Sequence, residues 1–227
     1  MAYAFAPPPI TVLTVAGEDI SVPVRRVHCV GRNYAAHARE MGHDPDREPP
    51  FFFAKPTDAV VAGGTIPYPR ATTDVHHEIE LVVIIGEGGR NISVDNALNH
   101  VYGYAVGIDF TRRDIQAEAK KAGRPWAMAK GFDQSGPVSD VKLAAKIGHP
   151  DSGLIWLKIN GETRQSGDLK QQIWNVQETI SYLSSLVDLA PGDLIFTGTP
   201  DGVGPVNRGD KIEGHIDGIG DLVVTIE

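Results

Sequence analysis

Two carboxylates separated by one apolar residue, Glu78-Ile79-Glu80, head the β-rich apolar run Leu81-Val82-Val83-Ile84-Ile85. Side chains on a strand alternate between faces, so Glu78 and Glu80 point the same way. Neighbouring carboxylates repel, and burying both is costly unless a divalent cation relieves the repulsion. The alternative is a polar strand end with both glutamates in water. A second apolar run, Tyr102-Gly103-Tyr104-Ala105-Val106-Gly107-Ile108, ends in Asp109. An acid there either supplies a third oxygen ligand or merely terminates the strand. Three carboxylates, with no cysteine and no clear histidine spacing, favour a hard ion such as Mg2+ or Mn2+ over Zn2+.

Other residues bear on chemistry. His37 and Glu40 are three apart on a predicted helix begun by Asn33 and ended by Gly42, so they share a face. A carboxylate beside an imidazole fixes its tautomer and raises its basicity, as a general base requires; an exposed ion pair is the other reading. Arg113 and Gln116 have the same spacing on a helix that opens at Thr111, with Asp114 completing a variant capping box, and stops at Gly123. They are placed to hold a substrate carboxylate, whereas Lys120 and Lys121 read as a solvated face. Lys130, the cation of an otherwise apolar segment, either neutralises a developing oxyanion or a substrate carboxylate, or snorkels to the surface. Gly198-Thr199-Pro200-Asp201-Gly202-Val203-Gly204 exposes backbone N–H groups and a hydroxyl suited to an anion. It lacks the Lys-Ser/Thr ending and following helix of a P-loop.

The elements that must position these groups are short. Residues 10–15 and 20–24 read as a hairpin around Gly17-Glu18-Asp19, and 26–31 as a buried strand. The polar, proline-rich stretch 42–50 reads as a loop, placed to act as a lid. Phe51-Phe52-Phe53 is taken as core strand, the wall of a cleft being the alternative, and Lys55 before Pro56 is held extended. Ser93 caps a short helix reaching about Asn99. Residues 154–160 alternate as a strand, and Asn160-Gly161 turns them back through Arg164 and Gln165. Asn175 and Glu178 start a helix with a core stripe of Ile180, Leu183 and Leu186. Residues 211–227 close the chain as strands.

The 227 residues suit one large domain, preceded by a small β extension over 1–25. A net charge of −8 and a pI near 5.5 argue against general nucleic-acid binding. Cys29 is the one cysteine, which precludes an intramolecular disulfide and points to a reducing cytoplasm. No segment reads as a signal peptide or a membrane span.

Taken together, the pieces resemble a known family. Val30-Gly31-Arg32-Asn33-Tyr34, His76-His77-Glu78-Ile79-Glu80, Gly107-Ile108-Asp109 through Asp114, and Ala129-Lys130-Gly131-Phe132 are similar to the acylpyruvase-like branch of the fumarylacetoacetate hydrolase family. Asn160-Gly161-Glu162 with Arg164-Gln165, and Gly198-Thr199-Pro200 through Gly204, continue the likeness in the same order over 26–227. The resemblance implies a mainly β fold with short helices (α+β), a mixed β-sandwich roll, in a homodimer. It implies one Mg2+ or Mn2+ per subunit on Glu78, Glu80 and Asp109. It makes His37 and Glu40 a water-activating pair on a segment that orders when ligand binds. Lys130 joins them as a catalytic residue, with Arg32, Arg113, Gln116 and Thr199 lining the substrate site.

The chemistry this implies is hydrolysis of a carbon–carbon bond in a 2,4-dioxo acid. His37 deprotonates water for attack on the 4-carbonyl, and the metal and Lys130 stabilise the departing pyruvate enolate. Fumarylpyruvate is the favoured substrate. The alternatives are a decarboxylase or tautomerase of oxaloacetate or a related oxo-diacid, and a non-enzymatic, metal-dependent oxo-acid binding protein.

Overall fold

The computed structural model describes residues 3–40 and 48–227. Its frame is a mixed sheet ordered Phe51–Lys55, Arg26–Gly31, Asp193–Phe196, Ile79–Ile85, Val101–Ile108, Gly136–Val138 and Val60–Ala62, with Lys142–Leu143 also paired to Val101–Ile108. A five-stranded sheet, ordered Glu162–Asp168, Leu154–Ile159, Lys211–Ile216, Gly220–Ile226 and Gly64–Ile66, packs on one face of it. A small sheet of Thr111–Arg112, Val75–His77 and Gly204–Val206 lies beside the frame. The helices are few and short, so the mainly β sandwich roll implied by the resemblance is the fold observed. Among the described residues, no helix is long and apolar enough to cross a membrane.

Alternation along Ile79–Ile85 explains how the layers meet. Ile79, Leu81, Val83 and Ile85 face the second sheet, joining Ile155, Leu157, Ile212, Ile216 and Val224 in one apolar core. Val82 and Ile84 face the other way, into a second core with Cys29, Leu194, Phe196 and the hairpin residues Leu13 and Val22. The strand is buried on both faces, hence the unbroken apolar run Leu81–Ile85 that follows Glu80. Glu78 and Glu80 share the parity of Val82 and Ile84, so they point away from the sandwich interior.

Several expected elements form as read. Val12–Thr14 pairs with Ser21–Pro23, and Leu154–Ile159 with Glu162–Asp168. Asn160 and Gly161 take φ of 51° and 83°, the pair of positive values a tight hairpin turn of this kind needs. Asn175 Oδ1 accepts from Glu178 N at 2.9 Å while Glu178 Oε2 accepts from Asn175 N at 3.2 Å, a complete capping box.

Others differ. The helix Ala35–Glu40 is not capped by Asn33, whose amide donates to the carbonyls of Trp174 and Thr197 (2.8 Å each) and accepts from Trp174 N (2.7 Å). A side chain engaged with two distant segments is not free to satisfy the first turn. The expected stop at Gly42 and most of the expected lid lie outside the described residues. Thr111 and Asp114 form no capping box: the Thr111 hydroxyl turns to Glu78, and Asp114 accepts from Thr72, Thr73 N and Ile115 N. Ser93 precedes the 3-10 turn Val94–His100 without a side-chain cap. Of the stripe on Val176–Leu186, Ile180 and Leu183 are buried but Leu186 is 59% exposed, because it falls on the helix's last residue, beyond the core.

Gly107 lies opposite Glu80 in the strand pairing. A methyl there would sit 2.5 Å from Val82 Cγ2 and 2.7 Å from Phe196 Cε1. Gly107→Ala is expected to destabilise the fold by about 1–3 kcal/mol through overpacking. Denaturant titration reads the change, and an unaltered midpoint would show that the sheet yields there.

Candidate functional site

The antiparallel pairing of Ile79–Ile85 with Val101–Ile108 brings the acids together. Its register sets Glu80 against Gly107, and Asp109 N donates to Glu78 O at 2.8 Å, extending the ladder by one step. Oxygens of Glu78, Glu80 and Asp109 all lie within 4.8 Å of one another, in side chains that are almost wholly buried.

Their cations are shared unevenly. Glu78 Oε1 accepts from an Arg113 guanidinium N at 2.6 Å, and Glu78 Oε2 from Lys130 Nζ at 2.8 Å. Lys130 Nζ also reaches Asp109 Oδ2 at 2.7 Å, and Lys55 Nζ lies 2.8 Å from Asp109 Oδ1. Among the described residues, Glu80 receives the backbone N–H of Gly198 alone, at 2.8 Å. Burial opposes the charge of Glu78, but Lys130 and Arg113 outweigh it and hold that carboxyl well below the usual range. Glu80 goes the other way: burial, then the neighbouring charges of Asp109 and Glu78, push it well above. Lys130 is raised; burial works against its ammonium, and Asp109 and Glu78 prevail.

Glu80 is thus a buried carboxylate with no cation on it among the described residues. A hard divalent ion among three carboxylate oxygens would supply the missing charge, so the side chains fit such an ion.

The remaining residues line a cleft with about 410 Å³ of empty space above these acids. Arg32, His37, Arg113, Gln116, Lys130 and Thr199 all face it. His37 is buried, and its Nδ1 lies 3.2 Å from Glu40 Oε2, so Nδ1–H donates to the carboxylate and Nε2 is left as an acceptor. Gln116 Oε1 accepts from Arg113 at 2.7 Å, which fixes the fork of the guanidinium.

The glycine-rich turn is an anion cradle, as its composition suggests, but the anions it holds are the protein's own carboxylates. Gly198 N donates to Glu80, and Gly202 N lies 3.3 Å from both oxygens of Glu40. Gly202 takes φ 88°, and a Cβ there would come within 2.1 Å of Arg164 O, so the position needs glycine.

Several residues take places that their local sequence does not suggest. Phe51 and Phe53 are half-buried and, with Trp126, form a wall of the cleft, Phe53 packing on the second core as well. Lys120, expected on a solvated face, lines the same cleft. Lys55 is buried against Asp109 and donates to Ser135 Oγ (3.0 Å) and to the carbonyls of Phe110 (3.3 Å) and Lys130. Only its place beside a proline in an aromatic strand hinted that it could not reach water.

Gln165, quoted only as part of a motif, ties the site's two halves together. Its Oε1 accepts from Ile79 N (3.1 Å) and His77 Nδ1 (2.9 Å), and its Nε2 donates to Thr199 Oγ1 and Pro200 O (2.8 Å each). An irregularity in the pairing after Leu157 accompanies its turn into the interior. His77, buried and facing that amide, is kept neutral: burial lowers its pKa to about 4.

This fold and acidic site define a class. The family model for the fumarylacetoacetate (FAA) hydrolase C-terminal region matches residues 26–227, and the chain belongs to that family. It is 53% identical to the fumarylpyruvate hydrolase of Pseudomonas aeruginosa, whose crystal structure holds Mn2+ and pyruvate. The two superpose with a TM-score of 0.97 over 99% of each chain. It is also 45% identical to the mitochondrial oxaloacetate tautomerase FAHD1 of Arabidopsis thaliana over 89% of this chain and 91% of that protein. With the mitochondrial oxaloacetate decarboxylase of Dictyostelium discoideum it shares 42% identity over 86% and 90%.

Two measurements check the electrostatics. Mg2+ or Mn2+ at about 100 times its dissociation constant is expected to raise stability by about 2.7 kcal/mol, seen as a higher Tm. Glu80→Gln should abolish that rise; an equal rise in the variant would move the ion elsewhere. Lys55→Met breaks a buried pair and is expected to cost about 3–5 kcal/mol in denaturant unfolding. A loss below 1 kcal/mol would show that Lys130 alone suffices for Asp109.

Proposed function

We propose that the protein is an acylpyruvate hydrolase that cleaves fumarylpyruvate to fumarate and pyruvate. The observation that carries this reading is the His37–Glu40 pair, held against the cleft wall beside the three buried acids. The hydrolase from Pseudomonas aeruginosa, similar over nearly the whole chain, supports it.

Glu78, Glu80 and Asp109 would hold one Mg2+ or Mn2+. That ion supplies positive charge for the 2-oxo acid end of the substrate and for the negative charge that develops there. Arg113, its fork set by Gln116 and Glu78, binds and orients the 2-oxo acid end, and Arg32 meets the substrate further along the cleft. Thr199, placed by Gln165, adds a hydroxyl.

His37 Nε2 takes a proton from water as the oxygen adds to the 4-carbonyl. The bond from that carbon to C3 then breaks, giving fumarate and the enolate of pyruvate, and the proton returns from His37 to C3. Glu40 stabilises the imidazolium between those steps, and the Lys130 ammonium faces the enolate charge. The same reading carries a homodimer in a reducing cytoplasm, with Cys29 free and buried.

A second reading is favoured by the names of the plant and slime-mould relatives: decarboxylation or tautomerisation of oxaloacetate, using the same acids without attack by water. Fumarylpyruvate and oxaloacetate, each with Mg2+ or Mn2+ and again with chelator, separate the two. Pyruvate plus fumarate, lost with chelator, is the expected result. His37→Asn should then lower kcat by about 10²–10⁴-fold. Pyruvate plus CO2, or enol–keto exchange alone, would overturn the hydrolase in favour of the second reading. Binding of either acid without turnover would leave an oxo-acid binding protein.

A further inference from the structure

The cleft has a second cationic end. Lys120 projects from the helix Arg113–Lys121 and Arg32 follows the strand Arg26–Gly31; both face the cleft and both are half-exposed. Lys130 and Arg113 are occupied by the buried acids, but these two are not. Among the described residues, neither Arg32 nor Lys120 has a carboxylate within ion-pair distance.

Each instead lies over an aromatic ring. Arg32 Cζ is 5.3 Å from the centroid of Phe51, and Lys120 Nζ is 5.2 Å from that of Trp126. The two rings touch edge to face at 5.4 Å, so both cations stand on one continuous wall. Arg32 reaches this place from a backbone φ of 58°, an uncommon conformation for a residue with a side chain.

Burial, then Arg113 and Arg32, lower the pKa of Lys120 against the field of Glu78; burial lowers that of Arg32 against the field of Glu48, which lies beyond contact distance. Two half-exposed cations with no carboxylate in contact among the described residues are stabilised by an incoming anion.

We infer that Arg32 and Lys120 form an anion subsite for a second carboxylate, at the far end of the acyl arm. The wall of Phe51 and Trp126 takes the flat, apolar part of that arm. This rests on the hydrolase reading for the identity of the arm, and it makes Lys120 a specificity-determining residue. The substrate class is then 2,4-dioxo acids that carry a distal carboxylate, in preference to those ending in an alkyl group.

The test has a binding part and a kinetic part. In the Mn2+-loaded protein, calorimetry compares 2-oxoheptanedioate with 2-oxoheptanoate, which have equal length and differ in the distal carboxylate. Neither has the 4-carbonyl, so neither is hydrolysed. The wild type is expected to bind the diacid at least about 10-fold more tightly. Lys120→Gln should shrink that preference to about 2-fold, and Lys120→Arg should restore most of it.

In turnover, the ratio of kcat/KM for fumarylpyruvate to that for acetylpyruvate should fall about 10-fold in Lys120→Gln, chiefly through KM. No diacid preference in the wild type, or the same preference in Lys120→Gln, would overturn the subsite. A Lys120-dependent preference for the diacid without hydrolysis of either dioxo acid would uphold the subsite and remove the hydrolase reading instead.

Discussion

Three carboxylates crowd into one buried corner, and much around them answers the repulsion that results. Glu78 and Glu80 share a face of one strand, and the neighbouring strand ends by adding Asp109 to it. Lys130, Lys55 and Arg113 converge on two of the acids, while among the described residues Glu80 keeps a peptide N–H alone. Such a cluster is costly to bury without further positive charge, which a divalent ion on the three oxygens would supply.

That arrangement survives because it is held from several directions. The strand carrying the glutamates is apolar on both faces beyond them, one face packed on the second sheet and the other on the N-terminal hairpin and Phe196. Gln165 bonds the strand's start to Thr199 and Pro200, so the acids and the glycine-rich turn cannot drift apart independently. The turn then ties Glu80 through Gly198 and Glu40 through Gly202. One short segment thereby positions an acid of the buried cluster and the carboxylate that orients His37.

The cleft is asymmetric along its length. At its floor, Lys55, Lys130 and Arg113 meet Glu78 and Asp109 at distances below 3 Å. Towards solvent, Arg32 and Lys120 rest on aromatic rings with no carboxylate in contact among the described residues. Fumarylacetoacetate hydrolase relatives named for a hydrolysis and for an oxaloacetate tautomerisation share the chain's fold and length. Differences among them in substrate are therefore more naturally sought along the cleft wall than at the floor.

The strands, the common face of Glu78 and Glu80, the i,i+3 pairing of His37 with Glu40, and the Asn160-Gly161 turn were legible in the chain. Each depends on local periodicity or on the φ preferences of one or two residues. Asp109's closeness to the glutamates was legible only through resemblance, since strand register is a relation between segments. The failures share that cause. Asn33, Thr111 and Asp114 have the composition of helix caps, yet distant partners claim their side chains. Lys55 and Lys120 are ordinary lysines until the fold buries one against Asp109 and lays the other over Trp126. Local sequence decides which way a side chain faces; only tertiary structure decides what it meets there, because charge and burial act through space rather than along the chain.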